Sequence, residues 1–136
     1  MVRKANTIMV YKTAIFTSLI LMTLLWVLPY VDHFWLTEKE LSFLGWSGYG
    51  AKMEVSAVAY WCFYGVILLN MIGLYFLRNM ARMFFVLFVV SSIFLPALWG
   101  FTVTTPLEAA VSFSIAVLYG VLLTLSFMKP LAEQFK

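Results

Sequence analysis

The sequence predicts an all-α membrane protein. Four transmembrane helices form an antiparallel up-down bundle, with both termini cytoplasmic and one outer loop between the first and second helices. Three observations predict this. The 136 residues are 64% hydrophobic and only 11% charged, against roughly a half and a quarter in soluble domains, and the mean hydropathy is +0.97. No soluble fold of this length has interior enough for so many Leu, Val, Phe and Trp side chains, so lipid is the solvent. The apolar residues also fall into four runs of the length that crosses a hydrocarbon core of about 30 Å. Finally, the basic residues gather at one set of ends of those runs. By length the chain is a single domain, residues 1–136.

The first span covers residues 13–28 and, carried past Pro29, reaches about residue 35. Arg3 and Lys4 ahead of it resemble the start of a signal peptide. The run is followed by Pro29-Tyr30-Val31-Asp32-His33-Phe34-Trp35, with no small-x-small cleavage pattern, so an uncleaved anchor is expected. Residues 36–52 form the outer loop, where Gly45, Gly48 and Gly50 favour turns and two short strands are conceivable. The second span covers residues 53–77 and the third 81–101, with Pro96 near its far end. Between them Arg78-Asn79-Met80-Ala81-Arg82 is too short for anything but a tight turn, which makes these two spans an antiparallel hairpin. The fourth covers residues 106–128, with no charge between Glu108 and Lys129.

Charge sets the orientation. Arg3, Lys4, Lys12, Arg78, Arg82, Lys129 and Lys136 fall on one side of this arrangement, and Lys39 and Lys52 on the other. Basic residues stay cytoplasmic, so Arg78 and Arg82 fix the hairpin turn inside and both termini with it. Trp26, Trp35, Trp46, Trp61 and Trp99 then map to the outer half, where an indole finds both lipid and hydrogen-bond partners. Tyr11 and Tyr75 mark the inner boundary. The net charge of +3 is accounted for by topology, and nucleic acid is not an expected partner; the lipid bilayer is.

Several residues invite a functional reading with a simpler one beside it. Thr105-Pro106-Leu107-Glu108 has the spacing of a capping box, threonine as N-cap and glutamate at N3, which accounts for an acid at the start of an apolar run. Asn70 is the most polar side chain well inside a span. It needs partners there, either a ligand or another helix, with Ser91 and Ser92 as candidates. Ser112, Ala116, Gly120 and Thr124 recur every fourth residue and give the fourth span one face of small side chains. Such a face packs helices closely, inside one bundle or against another protein. Gly65 and Gly73 make a shorter version on the second span.

Chemistry of other kinds is absent from the pattern. Cys62 has no second cysteine to pair with and reads as a buried small hydrophobe. His33 has acids nearby but no further histidine or cysteine to complete a metal site. No intramembrane serine has an intramembrane His, Lys or Asp to activate it, and no glycine-rich phosphate loop occurs. No cofactor, no metal and no catalysis are expected.

The ending Leu118-Tyr-Gly120-Val-Leu-Leu-Thr-Leu-Ser-Phe127-Met-Lys-Pro130-Leu131-Ala-Glu-Gln-Phe135 resembles the close of a class of short bacterial inner-membrane proteins. In these a last span is followed by Pro-Leu-x-x-x-Phe, and the Arg78–Arg82 turn is similar too. The resemblance implies a bacterial cytoplasmic membrane and four spans, and brings no activity with it. Taken together, these features point to a non-catalytic accessory or interaction protein associating through helix contacts with itself or a larger membrane partner. A homo-oligomeric channel lined by Asn70, Ser91, Ser92, Ser112 and Ser114, or an immunity-type protein against a pore-forming toxin, are the alternatives.

Overall fold

The computed structural model describes residues 2–44, 47, 50–51, 56–94, 98, 100, 102–129 and 131–136, with the backbone alone at 2–5 and 57. Among these residues the chain is all-helical, with no strand. The helices are α1 (Val2–Val31), α2 (Glu38–Leu44), α3 (Ala57–Tyr75), α4 (Asn79–Phe94) and α5 (Pro106–Phe127), with short 3-10 turns at Asp32–Phe34 and Ala132–Gln134. Three segments are long and apolar enough to cross a membrane: Asn6–Phe34, Val58–Tyr75 and Pro106–Phe127. At 16 residues α4 is apolar but shorter, about 24 Å over its described length.

Each helix starts and stops for a local reason. The first begins well ahead of residue 13, at Val2. Pro29 falls in its last turn, where the ring disturbs one carbonyl and the helix ends two residues later. In place of the expected strands, the connection between α1 and α3 carries α2 among its described residues. Thr37 Oγ1 accepts from the Glu40 N–H (3.4 Å) and Glu40 Oε2 accepts from the Thr37 N–H (2.8 Å), a reciprocal cap that selects helix over strand. Ser56 caps α3, its side chain accepting from the Ala59 N–H. Pro96, Trp46, Trp99, Gly45, Gly48, Lys52 and Glu54 lie outside the described residues.

The α3–α4 turn closes as a Schellman motif. The Arg78 N–H reaches the Gly73 carbonyl (2.9 Å) and the Leu77 N–H the Leu74 carbonyl (2.9 Å). Leu77, at φ 55°, takes the left-handed position usually given to glycine, at about 1 kcal/mol of backbone strain. Its side chain packs on the core in return.

The core runs along the inner faces of four helices: Tyr11, Ile15, Met22 and Leu28 on α1, Ile67, Met71 and Leu74 on α3, Ala81 and Phe85 on α4, and Val111, Ile115, Tyr119 and Leu122 on α5. Helix α1 is the hub, packed on α5 and α3, while α4 packs on α3 and α5. The outward faces are just as apolar. Phe16, Val58, Leu69, Ile93, Phe113 and Val117 are each more than half exposed, an arrangement stable in lipid and not in water.

Three hydroxyl contacts link helices, while the hydroxyl of Ser18, a fully buried residue, has no hydrogen-bond partner among the described residues. The hydroxyl of Ser126 donates to the Leu122 carbonyl (2.6 Å), so Tyr11 Oη, 3.0 Å away, is the donor in their contact. By the same logic Thr23 Oγ1 donates to the Leu19 carbonyl and accepts from Tyr64 Oη, both at 2.8 Å. Tyr119 Oη donates to Met22 Sδ at 3.3 Å. Unpaired hydroxyls in hydrocarbon cost kcal/mol rather than tenths, and these pairings avoid that.

Candidate functional site

The small-residue stripe faces away from the molecule. Helix α5 buries Val111, Ile115, Tyr119, Leu122 and Ser126, while Ser112, Ala116, Gly120 and Thr124 are all exposed. A Cβ added at Gly120 would meet nothing within 4 Å. The Thr124 hydroxyl donates to the Gly120 carbonyl at 2.8 Å, so the stripe keeps no free donor there. Among the described residues the stripe stays outside the buried core of the molecule. Its opposite number is Gly73, where an added Cβ would lie 2.6 Å from Ala81 Cβ. There the absence of a side chain lets α3 and α4 meet at their turn.

Asn70 serves that same contact. Its Nδ2 donates to the Ala81 carbonyl across the hairpin at 3.0 Å, and Ser91 and Ser92 are not its partners; the Ser92 hydroxyl donates to Val89 O. Ala81 sits where the helices are closest, so its carbonyl is the nearest acceptor, whereas the serines lie more than two turns further along α4. The amide oxygen Oδ1 is buried without a hydrogen-bond partner. A groove of about 570 Å³ between α3 and α4, open to the outside, is lined by Phe63, Val66, Asn70, Phe84, Phe88 and Ser91 among others. Ser112 and Ser114 are exposed on α5, away from this groove.

The end of the molecule that carries the α3–α4 turn is basic. The Arg82 guanidinium lies 4.9 Å from the rings of both Phe127 and Phe135. It donates to Asn79 Oδ1 (2.6 Å) and to the Ser126 carbonyl (3.3 Å). The C-terminal segment folds back under it. Leu131 is fully buried, and Phe135 packs edge-on to Tyr11 at 6.1 Å. The Lys136 N–H donates to the Leu77 carbonyl (3.0 Å), and the Lys136 carbonyl accepts from the Asn79 N–H (2.8 Å). The first turn of α4 thus has one of its free donors satisfied by the end of the described chain. Arg78 is exposed at the tip.

The opposite end holds aromatic rings and acids. Trp26 stands edge-on to Tyr60 (3.9 Å) and Tyr64 (5.2 Å), and Tyr30 stacks on Trp61 (6.1 Å). Glu108 and Thr105 are buried and cap α5: Glu108 Oε2 accepts from the Thr105 N–H (2.7 Å) and Thr105 Oγ1 from the Glu108 N–H (3.2 Å). Asp32, which the charge pattern alone would leave in solvent, is 2% exposed with Oδ1 unpartnered. His33 is exposed against Phe34. Cys62 is exposed, not buried: the residue falls on the outward face of α3, where a small apolar thiol suits lipid as well as a core. Among the described residues no three His, Cys, Asp or Glu side chains gather as a metal site would require.

The chain matches no protein-family model, no curated protein and no solved structure.

Proposed function

We propose that this chain is a non-catalytic membrane protein of four antiparallel spans that works by helix–helix association, with a second copy or a larger membrane partner. Helix α4 supplies the fourth span, and the order of contacts favours an up-down arrangement. Tyr11 meets Ser126 while Met22 meets Tyr119, Trp26 meets Tyr60 while Lys12 meets Tyr75, and Phe63 meets Phe88 while Gly73 meets Ala81. In each pair of helices one number rises as the other falls. The seven basic residues at the turn-and-tail end support a cytoplasmic placement of both termini, in a bacterial cytoplasmic membrane as the sequence resemblance implies.

The observation that carries the association is the α5 stripe. Close helix packing in lipid is driven by van der Waals contact between small residues, and Ser112, Ala116, Gly120 and Thr124 present such a face, exposed among the described residues. The first atom of a larger side chain is accommodated there without displacing a described neighbour, because nothing lies within 4 Å of a Cβ at Gly120. Gly120→Leu therefore separates association from folding. It weakens self-association or complex formation in mild detergent and in bilayers while leaving helicity and thermal stability unchanged. Unaltered association in this variant would contradict the assignment.

A further inference from the structure

We propose that the α3–α4 turn is a binding site for the phosphate of an anionic phospholipid, held by Lys12, Arg78 and Lys136. Three cations from three separate stretches of sequence converge on this turn. Lys12 of α1 places Nζ 4.3 Å from the centre of the Tyr75 ring, in the last turn of α3. Arg78 stands exposed in the turn itself. Lys136 is brought to the same place by its two backbone hydrogen bonds, to Leu77 and from Asn79. Arg82 adds a fourth charge one helical turn further, fixed between Phe127 and Phe135.

Among the described residues the acid at this end is Glu133, and it faces Lys129 at 3.5 Å. Cations gathered at one surface repel one another, the more so where less water screens them. A single phosphate among them turns that repulsion into attraction. Arginine offers it a planar pair of donors and lysine a mobile point charge. The surroundings select a lipid over a free anion. Met9, Val10, Phe76 and Met80 are exposed around the same end, each by more than half, so apolar surface for acyl chains adjoins the cations. Basic pockets at the ends of membrane helices hold anionic headgroups in this manner.

The test uses the full chain in nanodiscs of equal phosphatidylglycerol and phosphatidylcholine, with co-purifying lipid counted by native mass spectrometry. Wild type retains phosphatidylglycerol preferentially. Lys12→Gln and Arg78→Gln each lower the preference about fivefold, as about 1 kcal/mol per cation implies, and the double variant approaches parity. The charge-conserving pair Lys12→Arg with Arg78→Lys keeps the preference, and equal loss there would trace the effect to damaged packing and overturn the site. Equal retention of both lipids by wild type, or an undiminished preference in the double glutamine variant, would also overturn it. So would full displacement of the lipid by millimolar inorganic phosphate that is itself retained, which would identify a free-anion site.

Discussion

Tyr11 Oη donates to Ser126 Oγ at 3.0 Å, joining the first and last long helices across 115 positions of sequence. Neither group has water available to it, since both residues are fully buried. Tyr11→Phe deletes the donor yet leaves Ser126 bonded to the Leu122 carbonyl. The expected loss is about 1 kcal/mol, within the range found for polar contacts between membrane helices. A double-mutant cycle with Ser126→Ala in detergent unfolding checks it. A coupling energy near zero would mean that the two groups do not interact.

Gly73 is a position where one methyl group is too many. A Cβ there would lie 2.6 Å from Ala81 Cβ, so Gly73→Ala must push α3 and α4 apart, at about 1–3 kcal/mol. Ala81→Gly in the same chain restores most of the loss by removing the clashing atom. Gly65→Ala and Gly120→Ala, where the added atom meets nothing within 4 Å, leave the unfolding midpoint of the isolated chain unchanged. Denaturation of the four variants in one detergent makes the comparison.

Asn70 is half-satisfied, with Nδ2 bonded to Ala81 and Oδ1 buried alone. Asn70→Leu loses one hydrogen bond and also removes one orphaned acceptor, so stability changes by less than about 1 kcal/mol. Asn70→Asp instead places a carboxylate in an apolar groove facing hydrocarbon, at about 2.5–3.5 kcal/mol on insertion scales. Insertion efficiency and thermal stability of the two variants should therefore diverge sharply.

Glu40 gives the short helix α2 a pH dependence. The Thr37 hydroxyl, and next the Thr37 N–H, hydrogen-bond its carboxylate and hold its pKa below the ordinary value of 4.5. A depressed folded pKa means that the cap's contribution is fully present above 4.5 and is lost as pH falls through the folded value. Amide protection at residues 37–41, corrected for the intrinsic pH dependence of exchange, should fall below that point, while protection in α3, capped by the hydroxyl of Ser56, does not respond. In Glu40→Gln the acid response disappears.

The features legible in the sequence are those whose causes are contiguous. Four adjacent residues, Thr105 to Glu108, carry the hydrogen bonds that start α5. Thr37 and Glu40 have the same spacing and start α2 in the same way, although the glycines that follow them in sequence favour turns. Which face of a helix points inward was not legible. Val111, Ile115 and Leu122 inside are no more apolar than Phe113, Val117 and Val121 outside, because lipid removes the polar face that marks the exterior of a soluble helix. The outward placement of the stripe and of Cys62 therefore came only with the structure. So did the docking of Leu131, Phe135 and Lys136 under Arg82, a contact between segments some fifty residues apart.

Site-directed cross-linking along α5 in native membranes tests the proposed association most directly. A photoreactive side chain at Ala116 or Gly120 should capture a second copy or a larger membrane protein. At Ser114 or Val121, about 100–120° around the helix from Gly120, it should capture far less. Equal capture at all four positions, or lipid adducts alone at Ala116 and Gly120, would contradict an interface built on the small-residue face.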